Sequence, residues 1–416
     1  MSAPALSAFV ESIRVSGLLG ARVLEQLAAW VAAPDADPQA IARALVQNGW
    51  LTGFQVKMFW AGRGPELFLG QYVLVERLGE GGMGTVYKAR HRRMERDVAL
   101  KVIRRERLNN REAVRRFRQE IQAAARLAHE NVVMAYDADQ AGDVHFFAME
   151  YVEGPTLSRL VHERGALPVR DACDFIRQAA LGLQHAHEMG MVHRDIKPSN
   201  LLFSKSGRVK ILDMGLARLQ TPPEAQGQTR LTQEGLVMGT PDFLAPEQAR
   251  SAHWADIRSD LYALGCTFYF LLAAQPPYPD GTLTEKLVQH CVDPPPDLSR
   301  IRVGIPPAIL GVLRRLMAKR PEDRFQTPAE VARALEPFCH ERAASRALPV
   351  VVSPMPVPLA EPATDSAFRL SDVGALAPLA REAGRFRHHG LVAAAVGVAA
   401  LLMVTAAVIW AMSPWK

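Results

Sequence analysis

The stretch that decides the reading is HRDIKPSN, His193 to Asn200. It sets a carboxylate (Asp195), an ammonium (Lys197) and a carboxamide (Asn200) close together around a proline. A carboxylate there can accept or orient a proton leaving a hydroxyl. The ammonium can neutralise a phosphoryl group in transfer, and the amide oxygen can hold Mg²⁺. As a plain loop, an Asp-x-Lys-Pro-x-Asn run has little structural logic.

Working outward, LDMG follows, with Asp213 as a second candidate metal-binding residue beside Asn200. Upstream lies VALK, ending at Lys101. A lysine in an apolar strand pattern is costly unless its charge meets a partner. Nucleotide phosphates and a helical carboxylate would supply two. Glu120 in FRQEIQAAARL is the natural carboxylate, because Phe117, Ile121, Ala124 and Ala125 mark the buried face beside it. Glu112 competes from the more polar first part of the same helix. Further upstream, LGEGGMGTVYKA carries Gly79, Gly81, Gly84 and Val86 as G-x-G-x-x-G-x-V. Glycines let a hairpin backbone approach phosphates closely and donate N–H groups to them. The same spacing opens dinucleotide-binding helices, but here it lies between two strand patterns rather than before a helix.

In this order and spacing the four motifs resemble the protein-kinase signature set. The resemblance runs from about Tyr72 to Phe338 and continues through GTPDFLAPEQA, where Ala245-Pro246-Glu247 stands as the A-P-E motif. Asp260 and Arg324 match structural positions of the family, and Arg324 is expected to pair with Glu247. The chain is most similar in character to the eukaryotic-like serine/threonine kinases of bacteria, many of which are membrane-anchored.

The resemblance implies ATP and Mg²⁺ as cofactors, with Mn²⁺ as a substitute, and protein substrates that include the chain itself. It makes Asp195, Lys197, Lys101 and Glu120 the catalytic set, and Asn200 and Asp213 the metal ligands. The nucleotide would lie against Leu78, Gly79, Glu80, Gly81, Gly82, Met83, Gly84, Thr85, Val86 and Lys101. Adenine would sit at MEYVEG, with Met149 as gatekeeper and the backbones of Glu150 and Val152 as contacts. Lys197 and Thr240 match positions that mark Ser/Thr rather than Tyr specificity. Met214 departs from the family, which usually has Phe there. Met can fill the same packing slot, with a changed balance between active and inactive states. Between Asp213 and Glu247, Thr232 matches the place where related kinases autophosphorylate, with Arg194 and Arg218 as its cationic partners. Where relatives often carry a second threonine, this chain has Glu234.

The chain has 416 residues, 49% hydrophobic and 22% charged. That is a globular composition too long for one ordinary core. The net charge of +6 is mild, and no nucleic-acid partner is expected. The cysteines Cys173, Cys266, Cys291 and Cys339 are scattered, which argues against a disulfide framework or a zinc site. Residues 1–65 read as a small helical region. Leu18, Leu19, Val23, Leu24 and Leu27 recur at helical spacing, Ile41, Leu45 and Val46 follow a Pro34–Pro38 break, and a short helix carries Phe54, Met58 and Phe59. That region is either a packing appendage or a partner-binding module. From Tyr72 the runs YVLVERLG, TVYKA and DVALKVI are strand-like, and from about 155 to 340 the pattern is helical. The expected fold is therefore α+β with two lobes over 72–340, a strand-rich N-lobe and a helical C-lobe.

Residues 345–388 form a Pro-rich linker. The run LVAAAVGVAALLMVTAAVIWAM, Leu391 to Met412, has no charged residue. At about 1.5 Å per residue it spans roughly 33 Å, enough for a bilayer core of about 30 Å. A buried Ala-rich helix is the alternative, as is a removable lipid-anchor signal. The latter would need an export signal, and MSAPALSAFVESIRV is not one. Arg381, Arg385 and Arg387 precede the run, so the positive-inside rule puts everything before Leu391 in the cytoplasm, at the cell membrane. Ala393 and Gly397 are a small-x-x-x-small pair that can support a homodimer.

Two other readings compete with an active kinase. One is a membrane-anchored pseudokinase scaffold. The other, a receptor with an outside sensor, is disfavoured because only Ser413 to Lys416 follow the apolar run. Helical spacing puts His185 and His187 on different faces, against a metal site with His193. The Arg-rich run from Arg104 to Arg118 is either a solvated helix face or a dock for an acidic partner or a sister kinase.

Overall fold

The computed structural model describes residues 3–33, 36–108, 110–214, 241–250 and 255–339. The apolar run 391–412, the linker 345–388, Thr232, Glu234, Arg218 and Thr240 lie outside the described residues. Among the described residues no helix is long and apolar enough to cross a membrane.

Four helices open the chain: α1 (Ala3–Ser16), α2 (Ala21–Ala32), α3 (Pro38–Gln47) and α4 (Gly53–Trp60). The periodic run around Leu18 is expected as one helix, yet the chain turns there. Gly17 has φ 66°, a left-handed conformation that glycine adopts without a Cβ clash, and α2 begins only after Gly20. Asp37 caps α3 through Gln39 and Ala40. Thr52 and Gln55 form a capping box on α4. Phe9 packs on Trp60, and Trp30 stacks on Trp50, with centroids 4.6 and 5.5 Å apart.

The strands that follow are β1 (Phe68–Leu69), β2 (Tyr72–Gly81), β3 (Gly84–His91), β4 (Arg96–Ile103), β5 (Ala135–Ala141) and β6 (Val144–Glu150). They form one antiparallel sheet in the order β1-β2-β3-β4-β6-β5. Helix α5 (Arg111–Ala124), capped by Asn110, lays Ala113, Phe117 and Ile121 inward. Phe117 and Ile121 join Ala99, Ile103, Phe147 and Met149 in the core beside the sheet.

The second half is helical: α6 (Leu157–Arg164), α7 (Val169–Glu188), α8 (Pro246–Arg250), α9 (Ile257–Ala273), α10 (Leu283–Val292), α11 (Pro307–Leu316) and α12 (Pro328–Leu335), with a small hairpin of β7 (Leu201–Phe203) and β8 (Val209–Ile211). α9 is apolar nearly all round and is accordingly buried. It packs with α7 and α11 around the larger core. The expected α+β fold with a strand-rich and a helical lobe is the observed one.

Arg324 is buried and uses all five of its N–H donors. Nη1 and Nη2 fork onto Glu247 Oε1 and Oε2 at 2.7 and 2.9 Å. The remaining bonds go to the carbonyls of Ala318, Arg258 and Lys319. A guanidinium is tolerated inside only when so fully satisfied. The pairing of Arg324 with Glu247 is the one expected from the sequence.

Candidate active site

The loop after α7 carries Asp195. His193, buried beneath it, accepts from the Asp195 amide at Nδ1 (3.2 Å) and places Nε2 2.8 Å from the Leu212 carbonyl. Since Nδ1 accepts, Nε2 carries the proton and donates, which ties this loop to the residue before Asp213. Arg194 has φ 67° and Asp213 has φ 56°. Non-glycine residues held there cost about 1–3 kcal/mol each and need surrounding bonds to persist. For Arg194 these come from Asp260, whose Oδ1 accepts its amide at 2.7 Å, and from Gln248, whose Nε2 donates to its carbonyl at 3.0 Å. Asp260 is fully buried and also accepts the His193 amide (2.8 Å) and contacts His187 Nε2 (3.0 Å).

On this support sits the polar cluster. Lys197 Nζ donates to Asp195 Oδ1 and Oδ2 at 3.0 and 2.9 Å. Asn200 Nδ2 donates to the Asp195 carbonyl at 2.7 Å and to its Oδ2 at 3.1 Å. That commits the Asn200 nitrogen and leaves its Oδ1 for another role. The backbone carbonyl of Asn200 accepts from Leu212 (2.9 Å), which draws Asp213 to the same site. An amide oxygen and a carboxylate together form the hard-oxygen donor set that suits Mg²⁺.

Lys101 projects from β4, opposite Val86 on β3 and Phe147 on β6. It is buried, and its Nζ lies 2.7 Å from Asp213 Oδ1. The expected Lys101–Glu120 pair is therefore not the one this structure contains. A buried ammonium takes the carboxylate that reaches it. Here that is Asp213, while Glu120 stays half-buried on α5. Between α5 and the sheet lies a small apolar cavity lined by Ile121, Ala124, Phe147, Met149, Asp213 and Met214. Met214 is buried in the larger core, the packing role its size allows.

The glycine motif closes the β2–β3 hairpin, with Gly81 opposite Gly84 and Gly82–Met83 at the tip. A Cβ on Gly84 would strike the Val102 carbonyl at 1.9 Å, so packing against β4 demands that glycine. Gly79 and Gly81 differ: a Cβ on either would meet nothing within 4 Å. The protein's own packing does not require them, and the backbone at both is open to close approach by a ligand. Glu80 is held by Arg77 and by Arg104 (2.7 Å). Leu78 is exposed, and Thr85 and Val86 are half-buried. At the inter-lobe segment Met149 is buried, Glu150 Oε2 accepts from Lys210 (2.8 Å), the Glu150 amide donates to Met134 (2.9 Å), and Val152 is half-buried.

The structure thus brings Lys101, Asp213, Asn200, Asp195 and Lys197 into one chain of contacts. Sequence reasoning placed Asp260 only as a structural position and missed Gln248. Both act on Arg194 across more than fifty residues of chain, and neither has a local pattern that would reveal it.

The sequence pattern of the protein kinase domain matches residues 72–335. Serine/threonine-protein kinase PknB of Mycolicibacterium smegmatis is 38% identical over 271 residues, which are 64% of this chain and 43% of PknB. Serine/threonine-protein kinase PrkC of Bacillus subtilis is 34% identical over 262 residues, 63% of this chain and 39% of PrkC. The matched region thus spans less than half the length of these curated relatives. The crystal structure of the Mycobacterium tuberculosis PknI kinase domain superposes with a TM-score of 0.52 at 29% identity, covering 65% of this chain and 97% of that one.

Proposed function

The chain belongs to the protein kinase family, and from that premise we propose that it transfers the γ-phosphate of ATP to serine and threonine hydroxyls of proteins, itself included, at a membrane. The observation that carries this is the Asp195–Lys197–Asn200 cluster, tied through Leu212 to Asp213 and through Asp213 to Lys101. Asp195 accepts the proton as the substrate oxygen bonds to the γ-phosphorus and the bond between that phosphorus and the bridging oxygen of ADP breaks, with ADP as the leaving group. Lys197 neutralises charge on the phosphoryl oxygens and meanwhile holds the Asp195 carboxylate in place through both of its oxygens. Asn200 Oδ1 and Asp213 would hold Mg²⁺, or Mn²⁺ in its place, which supplies charge neutralisation on the phosphates. Lys101 and the open backbone at Gly79 and Gly81 would hold the phosphates, and the Glu150–Val152 segment the base.

The name serine/threonine-protein kinase carried by PknB and PrkC supports the hydroxyl class of substrate. The uncharged run Leu391–Met412, preceded by three arginines, supports a single-pass anchor with the kinase on the cytoplasmic side. Thr232 is the proposed autophosphorylation site. A phosphate there, at about −1.5 to −2 charges, would pair with Arg194 and Arg218.

The test is phosphorylation of a generic Ser/Thr substrate with Mg·ATP by wild type and Asp195→Asn, with Thr232 followed by mass spectrometry. Activity in the wild type alone is expected. No activity in either would favour the pseudokinase scaffold. Deleting Leu391–Lys416 should move the chain to the soluble fraction with activity retained, and a full chain soluble without detergent would remove the anchor from the proposal.

A further inference from the structure

The helical region before the kinase domain touches the glycine hairpin through specific bonds. Strand β2 is covered by β1 only at Tyr72 and Val73. Beyond them its outer edge carries carbonyls that need donors. α4 supplies two. Gln55, itself buried, donates from Nε2 to the Leu74 carbonyl at 2.9 Å. Thr52 donates from Oγ1 to the Val75 carbonyl at 2.5 Å.

These carbonyls sit at a break in the β2–β3 ladder. Leu74 pairs with Ala89 and Glu76 with Lys88, so Val75 is an extra residue; Leu78 is a second, between Arg77 and Gly79. A bulge bends its strand and increases local twist. The first bulge therefore helps to aim the rest of the hairpin, Gly79 to Gly84. α4 also meets the other strand of the hairpin, because Phe54 packs on Tyr87 with ring centroids 5.8 Å apart. The capping box makes the grip stiff. Gln55 Oε1 accepts the Thr52 amide (3.0 Å) and Thr52 Oγ1 accepts the Gln55 amide (3.2 Å), so each side chain that reaches β2 also locks the other. The rest of the module backs α4, with Phe59, Val56 and Leu67 buried and Phe9 of α1 against Trp60.

We infer that Thr52 and Gln55 are positioning residues for nucleotide binding, and that the module α1–α4 sets the bend of the glycine hairpin by clamping the bulge at Val75. The inference rests on the kinase reading. It makes residues 1–65 part of the ATP site's support rather than an independent appendage.

The experiment uses the full chain in detergent. Gln55→Glu keeps an acceptor for the Thr52 amide but has no donor for Leu74, so it breaks the clamp while sparing the helix cap. Thr52→Val removes the hydroxyl at nearly constant shape. Each should raise the Kd for Mg·ADP and the KM for ATP by about fivefold, the equivalent of one hydrogen bond. The KM for protein substrate and kcat should stay within about twofold, since the groups that act on the hydroxyl are untouched. Amide exchange over residues 74–88 should quicken in the nucleotide-free protein, and Thr52→Ser should restore all three readings. Wild-type exchange at 74–88 in a folded variant overturns the clamp. Faster exchange with an unchanged Kd overturns its bearing on nucleotide. If Gln55→Glu does not fold, Thr52→Val decides by the same readings. A wild-type chain that binds no Mg·ADP overturns the kinase reading itself, a result that the exchange data keep separate from failure of the clamp.

Discussion

Asp260 holds Arg194 in a left-handed backbone conformation: the Arg194 amide lies 2.7 Å from Asp260 Oδ1, at a φ of 67°. The carboxylate comes from α9 and is fully buried. Its other oxygen binds the His193 amide, so one side chain sets two successive residues before Asp195. Asp260→Asn keeps the shape but turns an acceptor into a donor against these amides. Stability should fall by about 1.5–3 kcal/mol, the range for hydrogen bonds to a charged group, measured by urea unfolding. Phosphorylation should fall under conditions where the variant is still folded. Wild-type activity in a folded Asp260→Asn protein would show that the loop does not need this hold.

Lys101 and Asp213 give a different expectation. Lys101→Met keeps the apolar stem and deletes the charge that meets Asp213. The Asp213 carboxylate is partly exposed and can be solvated, so unfolding midpoints should change little. Activity should fall by at least about 10²-fold, because electrostatic stabilisation of the transferring group is lost. A variant with near-normal turnover would remove Lys101 from the phosphate site.

Glu247 is an acid-sensitive point of the helical lobe. Burial raises its pKa, but the Arg324 fork and the Ser259 hydroxyl outweigh that and leave it below the usual value. A depressed carboxylate adds stability above its unfolded pKa and loses it as pH falls through the folded one. Stability should therefore drop below about pH 4.5. Glu247→Gln should cost about 3 kcal/mol near pH 7 by leaving Arg324 buried without its counter-charge, and should flatten the acid limb. An acid limb as steep as in wild type would assign it to other groups. His290 adds a loss that begins higher, since burial and then Lys319 bring it down from 6.5 to about 3.

Lys319 acts on the alkaline side. Its Nζ rests on the His290 carbonyl (2.8 Å) and the Tyr278 hydroxyl (3.0 Å), and burial lowers its pKa to about 8. The unfolded chain then binds the extra proton between about pH 8 and 10.5, so stability rises with pH across that window. Lys319 should contribute a rise of about 1–2 kcal/mol between roughly pH 7.5 and 9.5, read as the difference in slope between wild type and Lys319→Met. Comparing the two proteins by urea unfolding isolates this from the buried thiols of Cys173 and Cys266, which burial pushes up to about 12 and whose titration works the other way from about pH 9, and from the buried tyrosines, which do so above about pH 10. Equal slopes in the two proteins would reject the assignment.

Much of this protein is local in its sequence. Strand alternation from Tyr72, the helical period after Leu157 and the motifs around Gly79, Lys101, Asp195 and Asp213 each depend on near neighbours, so the two-lobed α+β fold and the members of the site can be read along the chain. The capping box at Thr52 and Gln55 is likewise written within four residues. What those same side chains do across the molecule is not. Gln55 reaches Leu74, Asp260 reaches Arg194, and Lys101 meets Asp213 instead of Glu120. Each of those contacts depends on where separately folded elements come to rest. A buried polar group takes whichever partner packing delivers, because leaving it without one costs more than any local preference supplies. Residue type and spacing specify the chemistry that each group can perform; three-dimensional packing selects the partner that holds it.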